Sequence, residues 1–96
     1  MNVELSEEAL ADLSDILYYV AKDNPRAAVR LVNGIEESCR RLGKMPGAGT
    51  ARDDLKPGLR MFSHGSYVIC FRRKSNDLLR IVRIMHGARD VKAGDF

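Results

Sequence analysis

The sequence has few of the residues, and none of the motifs, on which most catalytic centres are built. Tryptophan is absent, and only two cysteines and two histidines occur among its 96 residues. Cys39 and Cys70 lie far apart without a His pair nearby, so they indicate two reduced, buried thiols rather than a zinc site. Walker motifs, nucleophile elbows, HExxH motifs and carboxylate clusters with metal-ligand spacing are also missing. We therefore expect neither a metal nor a cofactor.

Long hydrophobic segments are missing as well. No apolar run approaches the roughly 20 residues that a membrane-spanning helix requires. The first residues, Met1–Leu5, lack the basic and apolar regions of a signal peptide, which predicts a cytoplasmic protein without a membrane partner. The length of 96 residues predicts a single domain, residues 1–96. A domain of this size buries only about 60–65% of the surface that its unfolded chain exposes, so tight association with a partner would add to its stability.

Charges of opposite sign are concentrated in different parts of the chain. Residues 1–37 carry a net charge of −5 and residues 38–96 a net charge of +8, which together give the +3 of the whole sequence. Such blocks indicate interaction surfaces, and a basic C-terminal part suits nucleic acid, a nucleic-acid enzyme or an acidic peptide. A chance asymmetry spread over solvated faces is the alternative.

The hydrophobic periodicity predicts an α+β fold with the element order β-α-α-β-β-β. Ser6 is predicted to cap a first helix that runs through about Lys22, and Asn24-Pro25 to begin a second helix that ends at Gly43. We expect the helices to form an antiparallel hairpin packed on one face of a small antiparallel sheet. A long loop rich in glycine separates the hairpin from the later strands. The strands are predicted at Asn2–Leu5, Leu59–Phe62, Tyr67–Arg73 and Leu78–His86.

Apolar residues occupy both faces of the predicted strands. Two helices can cover only one face of a sheet, so the other face is expected to expose Ile81, Met85 and either Tyr67 or Val68 beside arginines. A mixed apolar and basic patch on so small a protein indicates a binding site for a partner. Coverage of this second face by the chain's own loop and C-terminal tail is the alternative.

Titratable side chains offer few candidates for chemistry. His64 falls in a predicted turn, where we expect it to be exposed and without a role. Gly34, inside the second helix, indicates close approach of the first helix, and simple tolerance of a glycine at that position is the alternative. His86 ends a strand, and it either belongs to a functional cluster with Arg83, Arg89 and Asp90 or donates to a backbone carbonyl.

Arginines are the most numerous candidates for binding. Arg60, Arg72, Arg83 and Arg89 are predicted on or beside the sheet, where guanidinium groups hold phosphates and carboxylates equally well. Aromatic residues in that region are too few to indicate base stacking. The residues alone therefore leave an RNA backbone and an acidic polypeptide open as partners.

Four segments, in order along the chain, resemble the RelE/ParE toxin superfamily and are most similar to its ParE branch. The segments occur at the family's spacing, and the similarity runs nearly end to end, from Leu5 to about Asp90, with the same order of elements. The resemblance implies the toxin of a type II toxin–antitoxin system. The segments are Pro25-Arg26-Ala27-Ala28, Arg52 to Arg60 (RDDLKPGLR), Gly65-Ser66-Tyr67-Val68-Ile69, and Arg83 to Asp90 (RIMHGARD).

The resemblance also implies what the protein acts on. ParE members interfere with DNA gyrase and have no nuclease activity, whereas RelE members cleave mRNA on the ribosome with Arg, Lys, His and a C-terminal Tyr. Arg60 and Arg83 resemble arginines of the RelE branch, but no Tyr follows Arg83. We therefore predict a gyrase inhibitor that is not an enzyme. Its predicted target-binding residues are Arg60, Arg83, His86, Arg89 and Asp90.

Two other functions are left open by the sequence. A ribosome-dependent endoribonuclease would use His86 as acid or base, with Arg60 and Arg83 stabilising the phosphorane. A detoxified relic would only bind its antitoxin and co-repress its operon.

Neutralisation by a ParD-like antitoxin is the partner interaction that the resemblance implies. Antitoxins of this kind lay a helix along the toxin's helical hairpin and run an extended segment across or beside its sheet. We expect no sequence-specific DNA binding by the toxin alone. The residues predicted to contact the antitoxin are Leu13, Leu17, Tyr18, Arg72, Ile81, Arg83 and Met85.

Overall fold

Two helices and a five-stranded sheet form the part of the chain that the structure, a computed structural model, describes: residues 1–45, 47–87 and 92–96. No helix in these ranges is both long enough and apolar enough to cross a bilayer. The elements are β1 (Asn2–Leu5), α1 (Glu7–Ala21), α2 (Pro25–Leu42), β2 (Thr50–Ala51), β3 (Arg60–His64), β4 (Tyr67–Ser75) and β5 (Leu78–His86), followed by a 3-10 turn at Ala93–Asp95.

Side-chain caps fix where both helices begin. The Ser6 hydroxyl accepts a hydrogen bond from the Ala9 amide at 3.0 Å, and the Asn24 side chain accepts one from the Ala27 amide at 3.0 Å. Each cap satisfies an amide that has no partner within its helix. The Ser6 hydroxyl also donates to the Val82 carbonyl at 2.8 Å, so the start of α1 is tied to β5. The predicted helix starts are confirmed.

The sheet has the strand order β1-β5-β4-β3-β2. Strands β2 to β5 pair antiparallel with their neighbours, whereas β1 lies parallel to β5, with Asn2 opposite Leu78. A parallel partner requires a long crossover, and both helices lie between β1 and the rest of the sheet along the chain. The α+β class and the order of elements are confirmed. The structure adds the parallel pairing of β1 and the two-residue strand β2 inside the predicted loop.

A β-bulge in β5 changes which residues face the helices. Cys70 pairs with Arg83 and the next residue, Phe71, pairs with Ile81, so Val82 is an extra residue in β5. An extra residue reverses the alternation of side chains between the faces. Ile81 and Ile84 therefore both join the core beneath the helices. The prediction that Ile81 lies on the open face is wrong.

The main core lies between the helical hairpin and the sheet. Its side chains are the apolar stripes of α1 and α2 and the inward positions of β4 and β5, and Ala9, Ile35, Ile69, Phe71 and Ile81 have no exposed surface. Both predicted thiols are buried, Cys39 in this core and Cys70 in a second one. The residues of the main core are Ala9, Leu13, Ile35, Cys39, Leu42, Ile69, Phe71, Leu79, Ile81 and Ile84.

The second face of the sheet carries a smaller core of its own. Leu59, Met61, Val68 and Cys70 are buried there. Leu55 from the loop and Phe96 from the tail pack against them, as do Val82 and Met85 of β5. The predicted open apolar face is therefore wrong, and the alternative, coverage by the loop and the tail, is what the structure has.

The contact between α2 and β3 involves Gly34 and His64. A Cβ placed on Gly34 would lie 3.1 Å from His64 Nε2, so the residue that approaches this glycine is His64 and not α1. The other ring nitrogen of His64, Nδ1, lies 2.8 Å from the Ser38 hydroxyl. The prediction of an exposed His64 in a turn and the prediction that the first helix approaches Gly34 are both wrong, because β3 extends to His64 and the imidazole ring packs on α2.

Candidate partner-binding site

The outer side of the helical hairpin exposes large apolar side chains. Tyr18 and Tyr19 are each 72% exposed, Leu10 is 53% exposed and Val29 is 51% exposed. Leu17, at 38%, is the least exposed of the group. Large exposed apolar areas on small proteins mark binding sites for other molecules. We call Leu10, Leu17, Tyr18, Tyr19 and Val29 the hairpin surface.

Helix geometry explains why α1 contributes four of these residues. Ala9 and Leu13 of α1 are buried against the sheet. Leu10 and Leu17 are seven residues apart and share one side of the helix next to that buried stripe, since a helix makes two turns in about seven residues. Tyr18 and Tyr19 are successive and therefore point about 100° apart. The exposed residues of α1 consequently cover most of its outer circumference.

A cleft runs between α1 and the ends of β4 and β5. It is lined by Asp15, Ile16 and Tyr19 of the helix and by Tyr67 and His86 of the strands, and its volume is about 450 Å³. The rings of Tyr67 and His86 meet edge to face, with 5.1 Å between their centroids and 73° between their planes. This cleft, which we call the His86 cleft, continues the hairpin surface through Tyr19, so one ligand can contact both.

Arg83 is held by α1. Its guanidinium donates to both carboxylate oxygens of Asp12, with Nε 2.8 Å from Oδ2 and the terminal nitrogen 3.0 Å from Oδ1. The hydrogen bond to Asp12 raises the pKa of Arg83 above its usual value. The Ile84 amide also donates to Asp12 Oδ2, at 2.9 Å. Asp12 therefore covers the free edge of β5 beyond the end of β1, and Arg83 has a structural partner that the sequence analysis did not foresee.

Arg60 is held by the loop that follows α2. It donates to the Ala48 carbonyl at 3.0 Å through Nε, and through one terminal nitrogen to the carbonyls of Gly47 at 2.8 Å and Gly49 at 3.0 Å. Arg60, Arg83 and His86 thus have three separate sets of neighbours: loop carbonyls, Asp12 and Tyr67. The structure does not assemble them into the cluster that a ribonuclease would need.

The remaining predicted residues fall in different environments. Leu17 and Tyr18 are exposed, and Arg72 and Met85 are half-buried. Leu13 is 7% exposed and Ile81 is fully buried, so neither is available at the surface to an antitoxin, because both side chains point into the main core. Arg89 and Asp90 lie outside the described residues.

Three residues of this region were not predicted from the sequence. Asp12 binds Arg83, and Asp15 and Tyr19 line the His86 cleft. Two successive tyrosines in an otherwise acidic helix are a visible signal, since aromatic residues are enriched where proteins bind each other. Asp12 gave no such signal, because its partner is 71 residues away. Within the described ranges, no group of three His, Cys, Asp or Glu side chains is placed to hold a metal ion.

The protein is a small α+β protein in which a helical hairpin with an exposed apolar side packs on a mixed five-stranded sheet. Residues 3–91 match the family model described as "ParE toxin of type II toxin-antitoxin system, parDE". The chain belongs to this family of toxins, and the resemblance seen in the sequence is confirmed.

Individual relatives agree with this family. Toxin ParE3 of Caulobacter vibrioides is 34% identical to the chain over 83 residues, which cover 85% of this chain and 82% of the relative. A solved structure described as "Chromosomal ParDE TA system from P. aeruginosa" is also similar, with a TM-score of 0.77 and 28% identity. The match covers 91% of this chain and 96% of that one. Sequence and fold therefore agree over nearly the whole chain.

Proposed function

We propose that an antitoxin neutralises this toxin by laying a helix along the hairpin surface, and that the free toxin inhibits DNA gyrase without cutting nucleic acid. The observation that carries the first part is the hairpin surface itself, where five apolar residues are open on a chain whose sheet is covered on both faces. The second part is supported by the ParE resemblance, and by the separation of the three residues that a ribonuclease would use.

The charge of the hairpin favours a particular kind of antitoxin helix. Residues 1–37 carry a net charge of −5, and the acidic side chains on the exposed part of α1 include Glu8 and Asp15. A partner helix with an apolar stripe flanked by Lys or Arg matches this surface in shape and in charge. An apolar side chain of the same partner would enter the His86 cleft and act as an anchor, since buried anchors supply most of the binding energy at such interfaces.

Binding of the antitoxin is tested with Tyr18→Ser. Because Tyr18 is 72% exposed, its loss leaves the core intact, and we expect the free energy of unfolding to change by less than about 0.5 kcal/mol. Affinity for the product of the adjoining antitoxin gene, measured by titration calorimetry, is expected to fall at least tenfold, or about 1.4 kcal/mol.

The control variant is Asn76→Ser, an exposed substitution in the turn between β4 and β5 at the far end of the strands. Its affinity is expected to equal that of the unchanged protein. Equal affinity of the Tyr18 variant and the control would contradict the assignment of the hairpin surface.

The target is tested with purified toxin in two reactions. Gyrase supercoiling is expected to stop at saturating toxin, whereas mRNA on translating ribosomes is expected to stay intact. Codon-linked cleavage with undisturbed supercoiling would instead support the ribonuclease alternative. Undisturbed supercoiling together with intact mRNA would favour the third hypothesis, a detoxified relic that only binds its antitoxin.

A further inference from the structure

A small basic pocket lies on the second face of the sheet, away from the hairpin surface. Its cationic lining is Lys56 from the loop, Arg72 and Lys74 from β4, and Arg80 from β5. Its volume is about 130 Å³, and its floor is completed by Leu59, Val82 and Phe96. Lys56 is held in place by a 2.6 Å hydrogen bond from Nζ to the Phe96 carbonyl. We call Lys56, Arg72, Lys74 and Arg80 the basic pocket.

Two of these cations face each other across the β4–β5 pair. Arg72 and Arg80 are direct partners in the register of the hairpin, so their side chains leave the sheet on the same face and side by side. Like charges at directly opposed positions destabilise a strand pair. Glu4, which lies opposite Arg80 in the pairing of β1 with β5, offsets part of this repulsion. An anion bound between the two guanidinium groups would be attracted by both and would relieve their repulsion.

Neutralisation from within the chain is incomplete. Glu4 of β1 is the acidic partner, with its carboxylate 3.2 Å from Arg80 and 3.6 Å from Lys74. The Glu4 side chain is 42% exposed and the Lys74 side chain 50%, so solvent screens this interaction considerably. Among the described side chains, one carboxylate contacts two of the four cations. The excess positive charge points toward an external anion.

We propose that the basic pocket binds one phosphate group of a DNA backbone, independently of base sequence. A phosphate presents several oxygens to cations that approach from two strands and a loop, and guanidinium groups form paired hydrogen bonds to it. The volume of about 130 Å³ suits one such group rather than a nucleotide. Phe96 is the one aromatic residue in the lining, which gives no platform on which successive bases stack. Contacts to the backbone without contacts to bases carry no sequence information.

This contact goes beyond the inhibition of gyrase. It would let the toxin touch DNA held by whatever enzyme it acts on, while the hairpin surface lies on the other side of the sheet. The two assignments can therefore fail separately: loss of DNA binding says nothing about the antitoxin or the target, and an undisturbed gyrase says nothing about the pocket.

The test is fluorescence anisotropy with a labelled duplex of about 20 base pairs between about 50 and 200 mM salt. We expect weak binding, with a dissociation constant of about 10⁻⁴ to 10⁻⁶ M that rises steeply with salt. The double variant Arg72→Gln/Arg80→Gln is expected to bind about tenfold more weakly. Loss of one phosphate contact should make the slope of log K against log salt shallower by about one.

A matched control keeps the net charge of the variant and moves the substitutions elsewhere. Arg40→Gln/Arg41→Gln removes two exposed arginines from the end of α2, and its binding is expected to stay within about twofold of the unchanged protein, because general charge alone is screened at this salt. Equal loss of affinity in both double variants would overturn the proposal. Displacement of the duplex by poly-glutamate at an equal concentration of charges would also overturn the proposal, because the pocket would then bind carboxylates as well as phosphates.

A second measurement uses the unsubstituted protein, so that it does not depend on the variants folding. Inorganic phosphate is titrated while the Nε–H resonances of the arginines are followed by NMR. Saturable shifts of Arg72 and Arg80, with unchanged Arg40, support the site. Shifts of all arginines in parallel, without saturation, would contradict it.

Discussion

Asp12 joins three parts of the molecule through one carboxylate. It lies in α1, accepts two hydrogen bonds from the guanidinium of Arg83, and accepts one from the Ile84 amide on the edge of β5 that β1 does not reach. Its side chain is only 13% exposed and that of Arg83 27%, so water does not readily replace these bonds. Asp12 therefore fixes how the helical hairpin sits on the sheet.

Removal of this carboxylate is expected to destabilise the fold. Asp12→Ala leaves the Ile84 amide without this acceptor and leaves Arg83 with a 3.5 Å contact to the Asp95 carbonyl. In a partly buried place this loss should lower the free energy of unfolding by about 2 to 3 kcal/mol. Urea unfolding followed by circular dichroism measures it.

The control is Glu37→Ala, which breaks the ion pair between Glu37 and Arg40. Their side chains are 55% and 65% exposed, respectively. The effect of Glu37→Ala on the free energy of unfolding should be much smaller than that of Asp12→Ala, because solvent screens an exposed pair. Similar losses in the two variants would mean that Asp12 is no more than another surface charge.

Single residues differ in how far the sequence could predict them. Ser6 and Asn24 act on amides three residues away, and local patterns of this kind are readable from the sequence. Asp12 and Arg83 are 71 residues apart, and His64 meets Ser38 across 26 residues. Pairings over such distances depend on the fold as a whole, so arginines predicted to be free for a partner proved to hold the structure together.

Among the elements, residues 47–51 of the loop between α2 and β3 make more contacts with β3 than a sequence rich in glycine suggests. Arg60 binds three successive carbonyls at positions 47–49, and Thr50–Ala51 then pairs with β3. Gly49, with φ of +81°, brings the chain so close to Met61 that a Cβ would collide with the Met61 carbonyl oxygen. The loop is thereby fastened to the sheet at its edge.

Loss of the Arg60 donors is expected to release this loop. Arg60→Met keeps the unbranched, largely apolar stem of the side chain and removes all three hydrogen bonds, so amide hydrogen exchange at residues 49–51 should quicken at least tenfold. The free energy of unfolding should fall by about 1 to 2 kcal/mol.

Arg52→Met is the comparison within the same loop. Arg52 forms an ion pair with Asp54, whose side chain is 62% exposed, and exchange at residues 49–51 is expected to stay unchanged. Unaltered exchange in the Arg60 variant would show that the loop is held by something else.

The types of the elements were predictable from the sequence. Which side chains of β5 point to which face of the sheet was not. Period-two alternation is correct for β4 and for the first half of β5, since Leu79 and Ile81 both point into the main core. The extra residue at Val82 shifts all later side chains by one position. A bulge leaves no mark in the hydrophobic pattern, and the prediction therefore assigned Ile81 and Ile84 to opposite faces.

The molecule as a whole has one buried thiol in each of its two cores. Burial raises the pKa of Cys39 and that of Cys70 to about 12, from an ordinary value of 9.0. Both thiols are therefore neutral in the folded protein at pH values at which the unfolded chain has already lost those protons. Stability from this source is complete below pH 9 and is lost as the pH rises toward 12.

The free energy of unfolding is thus expected to fall with rising pH above about 9, because unfolding then releases protons from both thiols. Urea titrations at several alkaline pH values measure the slope. Cys39→Ala and Cys70→Ala should each be less stable at neutral pH and have a shallower alkaline slope. A slope that neither substitution changes would assign the effect to other groups.

The parallel pairing of β1 with β5 has a consequence for synthesis of the protein. Asn2 lies opposite Leu78, so the strand that is translated first waits for the strand that is translated last. At the usual bacterial pace of up to about 20 residues per second, the nascent chain spends several seconds without its finished sheet. The sheet can therefore be completed only after residues 78–81 have been made, whereas the helical hairpin, which ends at Leu42, is translated well before them.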